Sequence, residues 1–120
     1  MLRDSFYHIN SANIVANTVV SEIRFNTDHA IFQGHFPGQP VVPGVCMMQI
    51  VKDFAEDIVE FKLTLKEGDN IKFLSVIDPN INNVVQVAVK TKIDGDQVSA
   101  TASLSNEQQI FFKFEGTYSR

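Results

Sequence analysis

Between residues 13 and 25 the chain reads Asn-Ile-Val-Ala-Asn-Thr-Val-Val-Ser-Glu-Ile-Arg-Phe, rich in β-branched residues, with Ile23 and Phe25 alternating against Glu22 and Arg24. That pattern predicts a strand. Asn26-Thr27-Asp28-His29 supplies a turn, and Ala30-Ile31-Phe32 leads into a segment where three prolines fall between residues 37 and 43. Each proline restricts its own backbone and that of the residue before it, so this segment is expected to be a stiff loop. A helix is expected from about Pro43, where a missing N–H costs nothing, to about Phe61. Met47, Val51, Phe54, Ile58 and Phe61 recur at steps of four and three and share one face, while Lys52, Asp53, Glu56 and Glu60 fall towards the other. Val45, Cys46, Met47 and Met48 make the first turn apolar all round, so that end is expected to be enclosed by protein. Strand-like runs follow at residues 70–77, 84–93, 98–104 and 109–118, with Asp94-Gly95 as a hairpin signal and Ser105-Asn106-Glu107 as a turn. Strands, one long helix, then a run of antiparallel strands make an α+β domain with one helix against one sheet.

Size supports that reading, because 120 residues suffice for one core and not for two, giving a single domain over residues 1–120. Hydrophobic residues at 44% and charged residues at 20% are ordinary for a globular chain. Ten Phe and no Trp suit a core of rings without polar handles, or the lining of an apolar tunnel. The net charge of -4 and the absence of a basic stripe argue against a nucleic-acid partner. An acidic partner would need a local basic patch, and the ten Lys and Arg residues are scattered along the chain. Cys46 is the one cysteine and no Cys/His spacing suggests zinc, which points to a reducing compartment. The charged start Met-Leu-Arg-Asp-Ser-Phe-Tyr-His does not read as a signal peptide, and no run is long enough to span a membrane. A cytoplasmic protein is expected.

Candidate chemistry concentrates where the loop meets the helix. A stiff connection from His35 to Pro43-Gly44 can hold an imidazole near a helix N-terminus. Free N–H groups there can stabilise a carbonyl oxygen that gains negative charge, while a near-neutral imidazole removes a proton from the adjacent carbon. Gly44 would admit close approach of a substrate. Proton abstraction α to a thioester carbonyl, followed by loss of a β-hydroxyl, fits that pairing. A lone loop histidine is more often structural than catalytic, and it is the setting of His35 that favours chemistry; His8 and His29 have no such setting and read as surface or packing residues. Cys46 reads as a small buried hydrophobe, and no nucleophile-elbow motif is present.

The run Phe32-Gln33-Gly34-His35-Phe36-Pro37-Gly38-Gln39-Pro40-Val41-Val42-Pro43-Gly44-Val45 resembles the signature of the (3R)-hydroxyacyl-[acyl-carrier-protein] dehydratases of fatty acid synthesis. The resemblance implies a hotdog fold, an antiparallel sheet wrapped around one long central helix and dimerised so that an acyl tunnel lies at the subunit interface. It implies His35 as the acid or base acting at the substrate Cα, and Gly44 as donor of the N–H that holds the thioester oxygen. Phe36, Pro43, Val45 and Met48 would line the substrate. No metal or organic cofactor is implied, and the expected partner is an acyl carrier protein with a 4'-phosphopantetheine-linked acyl chain. The resemblance implies a homodimer or a heterodimer with a related hotdog subunit.

One departure from the family pattern matters. The position of the second catalytic group, a carboxylate contributed by the partner subunit, is Gln49, and one helical turn later, where Gln is common, stands Asp53. An amide cannot donate and recover a proton as a carboxyl can. Positions 49 and 53 are neighbours on a helix, so Asp53, acting through a water held by Gln49, is a candidate replacement; it reads equally well as a solvated charge beside Lys52 and Glu56. Three functions stay open: a dehydratase working through His35 and Asp53, a non-catalytic acyl-binding or partner subunit, and a hotdog thioesterase. An Asp53 side chain aimed at the site would favour the first, and one aimed at solvent the second.

Overall fold

A computed structural model describes residues 2–34 and 38–120. His35, Phe36 and Pro37, and with them the expected base, lie outside the described residues. In chain order the elements are β1 (Tyr7–Val15), β2 (Thr18–Phe25), α1 (Ala30–Gly34), α2 (Gly44–Val59), β3 (Thr64–Phe73), β4 (Val84–Asp94), β5 (Gln97–Ser105) and β6 (Ile110–Ser119). The strands form one antiparallel sheet of order β1-β2-β4-β5-β6-β3.

Alternation decides which face is inside. Val19, Ile23 and Phe25 of β2, Val85, Val87 and Val89 of β4, Val98, Ala100, Ala102 and Leu104 of β5, and Phe112, Phe114 and Tyr118 of β6 are buried, and their neighbours in sequence are mostly exposed. This inner face receives Ile50, Val51, Phe54 and Ala55 of α2, which packs against β4, β5 and β2. Ala100 and Ala102 keep the middle of the sheet shallow, so the helix can approach closely there. A helix of 16 residues laid on one face of an antiparallel sheet is the α+β arrangement expected from the sequence.

Two boundaries differ from expectation. Residues 13–25 are the end of one strand and the whole of the next, joined by a tight turn at Ala16-Asn17 that pairs Val15 with Thr18. Ala16 takes a φ of 54° there, a conformation usually given to Gly, so the turn carries no recognisable residue. β3 begins at Thr64 and ends at Phe73, whereas the alternating pattern placed a strand at residues 70–77. Register shifts between Leu65 and Glu67 and between Gly68 and Asn70 break its alternation. At its far end the Leu74 and Ser75 N–H groups both donate to the Phe111 carbonyl, at 2.9 and 3.2 Å, which ends the ladder.

On the outer face, Lys72 of β3 lies directly opposite Lys113 of β6, and Lys90 lines the same open hollow of about 440 Å³. Three of the scattered cations are thus gathered on the face turned away from α2. Like charges in cross-strand register repel, so Lys113→Glu should stabilise the fold by about 0.5 kcal/mol, read as a thermal midpoint higher by roughly 2 °C.

Candidate active site

The start of α2 is fixed from three sides. Pro43 is extended (φ -63°, ψ 148°) and has no side-chain cap to offer; its carbonyl accepts from the Cys46 and Met47 N–H groups at 3.0 and 3.2 Å. The Val42 N–H donates to the Ile77 carbonyl at 2.9 Å, tying the incoming loop to the segment after β3. Among the described residues the N–H groups of Gly44 and Val45 meet no acceptor, leaving two donors at the positive end of the helix. Gly44 faces the Phe73 ring, and a Cβ there would stand 2.9 Å from its edge. Any larger residue at this position would have to displace the exposed Phe73 ring. Gly44, Met47, Val41, Phe73, Leu74 and Val76 border an open, largely apolar hollow of about 420 Å³.

Val45, Met48 and Gln49 lie on the adjacent flank and share a second open hollow, about 220 Å³, with Lys52, Leu65 and Tyr118. The structure thus brings three of the expected site residues together and sets Gly44 in the neighbouring hollow. Of the apolar first turn, Cys46 and Met47 are buried and Val45 is 77% exposed in the single chain. Phe73 at 56% and Val76 at 65% are exposed around the Gly44 hollow, and β3 forms a sheet edge uncovered on both faces.

Asp53 is the largest correction. Expected on the solvated face, it is only 4% exposed, while its neighbours Lys52 and Glu56 are half-buried. Three polar side chains are buried among the described residues, and two of them, Ser21 and Thr91, donate hydroxyls to the Ser11 and Asn17 carbonyls. Asp53 is the third and carries an acid group inside the fold. The reason is β1, whose Tyr7 begins the strand directly over this side of α2. The Tyr7 hydroxyl donates to Asp53 Oδ2 at 2.8 Å, and Gln49 Nε2 donates to Asp53 Oδ1 at 2.8 Å. Contact between Gln49 and Asp53 is thus direct. The carboxyl points at Tyr7 of its own chain, and not at solvent.

Behind Tyr7 stands Arg3, whose Nε donates to the Tyr7 hydroxyl at 3.2 Å. Its two terminal nitrogens meet both Asp57 oxygens at 2.9 and 2.8 Å, a bidentate ion pair, and its guanidinium lies 4.9 Å from the Phe54 ring centre. Burial works against the Arg3 charge, but the bonds to Asp57 and Tyr7 outweigh it and hold its pKa above the ordinary value. Burial pushes the Tyr7 phenol well above the usual tyrosine range, with Asp53 adding to the rise and Arg3 opposing it. Burial also carries Tyr118 up to about 12, helped by Glu56. Tyrosine pKa values raised by folding give stability that is full below about pH 10 and is lost as pH climbs through the folded values. Thermal midpoints measured from pH 8 to 12 should fall above pH 10, and Tyr7→Phe should show a shallower fall.

Residue pattern alone does not single out Arg3 or Tyr7, because their role depends on a contact with a helix some fifty residues away. A tyrosine at the head of a strand was the only available signal. Cys46 is buried and its thiol is pushed up by burial, in keeping with a packing role. His29 packs edge-on against Phe6 with centroids 5.4 Å apart, and its Nδ1 accepts the Ile31 N–H at 3.1 Å. No group of three His, Cys, Asp or Glu among the described residues could hold a metal ion. No helix is long and apolar enough to cross a membrane.

Comparison with known proteins bears directly on this geometry. Residues 11–115 match the family model described as ApeI-like, the ApeI dehydratase. The chain belongs to the ApeI-like dehydratase family. Among curated relatives of this ApeI-like chain, the 3-hydroxyacyl-[acyl-carrier-protein] dehydratase FabZ of Caulobacter vibrioides is 31% identical over 86 residues, covering 71% of this chain and 50% of that protein. FabZ of Pectobacterium atrosepticum is 30% identical over 99 residues, covering 81% and 59%. The chain spans about half the length of the first curated relatives it matches. Among solved structures, the dehydratase heterocomplex ApeI:P from Xenorhabdus doucetiae superposes with a TM-score of 0.77 at 17% identity, over 94% of this chain and 97% of that one. A hypothetical thioesterase with coenzyme A from Streptococcus pneumoniae follows at 0.68 and 9%, over 94% and 84%. Identities this low show the shared hotdog fold alone.

Proposed function

We propose that this ApeI-like chain removes water from a 3-hydroxyacyl thioester to give the trans-2-enoyl thioester, with the acyl group carried on the phosphopantetheine of an acyl carrier protein in the cytoplasm. The observation that carries the reading is the hydrogen bond from half-buried Gln49 to buried Asp53 on α2, the helix whose start leaves the N–H groups of Gly44 and Val45 free. A thioester carbonyl hydrogen-bonded to Gly44 N–H gains acidity at Cα, because the enolate charge is met by donors already in place. His35 takes the Cα proton, the C3–O bond breaks, and the departing hydroxide receives that proton back from His35 and leaves as water. Gln49 and Asp53 stand where the leaving hydroxyl is handled, and Phe36, Pro43, Val45 and Met48 border the acyl group.

The uncovered β3 edge and the exposed Val45, Phe73 and Val76 support a dimer, homotypic or with a related hotdog subunit, that closes both hollows. A second reading, a partner subunit without its own turnover, is favoured by Gln49 at the position of the acid and by the likeness to a heterocomplex. The test is hydration and dehydration of 3-hydroxyacyl and enoyl carrier proteins by the wild-type chain, His35→Ala and Asp53→Asn. Turnover lost in both variants supports the dehydratase. An inert wild-type chain that gains turnover only when mixed with a second hotdog subunit supports the partner.

A further inference from the structure

The direction of every hydrogen bond running from Arg3 to Gln49 follows from the chemistry of the groups. A guanidinium has donors and no acceptor, so in the bond from Arg3 Nε the Tyr7 oxygen must accept. Tyr7 has a single proton, and with Arg3 on one side it gives that proton to Asp53 Oδ2. The remaining oxygen, Oδ1, faces the Gln49 amide, and a carboxyl that accepts from tyrosine on one oxygen is completed by a donor on the other. Gln49 therefore turns its NH2 inward. Its Oε1 is left over, and among the described residues no donor meets it. Gln49 is half-buried and borders the hollow shared with Val45 and Met48. Without this chain the two orientations of the amide would be nearly equivalent; with it, only one is satisfied.

We propose that Arg3 and Tyr7 are positioning residues that act through Asp53 to lock Gln49 as a hydrogen-bond acceptor, which selects acyl thioesters carrying a 3-hydroxyl over those without one. The ligand class rests on the proposed dehydratase reading; the locking of the amide does not. A locked acceptor recognises an O–H and returns no proton, so Gln49 holds the hydroxyl in place and leaves its protonation to another group. The geometry also assigns Asp53 the orienting of Gln49, in place of the water-mediated acid role expected from spacing.

Two measurements on the full chain separate these elements. The first is the side-chain NH2 signal of Gln49 in 15N-labelled protein without ligand, assigned by its loss in Gln49→Ala. It should shift and broaden in Tyr7→Phe and in Asp53→Asn, both near-isosteric, with the backbone spectrum outside this region retained. The second is binding of two non-hydrolysable pantetheine amides, one 3-hydroxyacyl and one 3-deoxyacyl. The wild-type chain should prefer the hydroxyl by roughly fivefold, the worth of one net hydrogen bond, and the ratio of the two affinities should fall below about twofold in Gln49→Ala, Tyr7→Phe and Asp53→Asn. An amide signal unmoved by both Tyr7→Phe and Asp53→Asn overturns the positioning chain. A preference that survives in those variants overturns the selection. If the wild-type chain binds neither amide while the signal responds as expected, the thioester reading fails and the positioning stands.

Discussion

Gln49→Glu should raise kcat for dehydration of a 3-hydroxyacyl carrier protein by about 10² or more, the usual contribution of a positioned general acid. Gln49 Nε2 lies 2.8 Å from Asp53 Oδ1, so a glutamate there meets the Asp53 carboxyl, itself almost closed to water, at hydrogen-bond distance. Two carboxyl groups so placed cannot both be charged and share one proton, which is then available near neutral pH. The rise should appear in kcat with KM little changed, because the substrate hydroxyl is contacted in both proteins and only the proton is new. The pH profile of the variant should gain an alkaline limb that the wild-type chain lacks. An unchanged kcat would place Gln49 away from the leaving group and remove it from the site.

Asp53→Ala should destabilise the fold by about 3 kcal/mol, equivalent to a drop of roughly 10 °C in thermal midpoint for a domain of this size. The substitution strands two donors at once, the Tyr7 hydroxyl and the Gln49 amide, and opens a void next to Phe54, which is fully buried. Asp53→Asn keeps the volume and one acceptor, so its cost should be about 1 kcal/mol. Chemical denaturation of both variants checks the order. Equal losses would mean that shape, and not hydrogen bonding, is what Asp53 contributes.

Much of the architecture was legible because it depends on local period. β4, β5 and β6 alternate cleanly between a wet and a dry face, and α2 repeats its apolar residues at helical steps. Where the period failed, a specific backbone feature intervened. Ala16 turns a hairpin without Gly, and β3 is interrupted by bulges and lies at an edge where polar residues on both faces hide it. Val45, Met48 and Gln49, expected at the site from the family resemblance, share one flank of α2. The burial of Asp53 was not legible, because the side of a helix that a neighbouring strand will cover cannot be read from the helix alone. Arg3 and Tyr7 are four residues apart in sequence and some fifty from Asp53, and only the packing of β1 over α2 makes them part of one unit.

The contact between Gly44 and the Phe73 ring joins two things that could have been separate. Phe73 is the last residue of β3 and stacks against Phe112, so its position is set by the same strand that ends the sheet. Any molecule that adds itself along β3 therefore also presses on the first residue of α2, and dissociation at that edge releases it. In the proposed dimer, assembly and the readiness of the helix start are a single equilibrium, so specific activity should decline on dilution, in step with the loss of the associated form in sedimentation. Protein concentration itself then acts as an effector of the site.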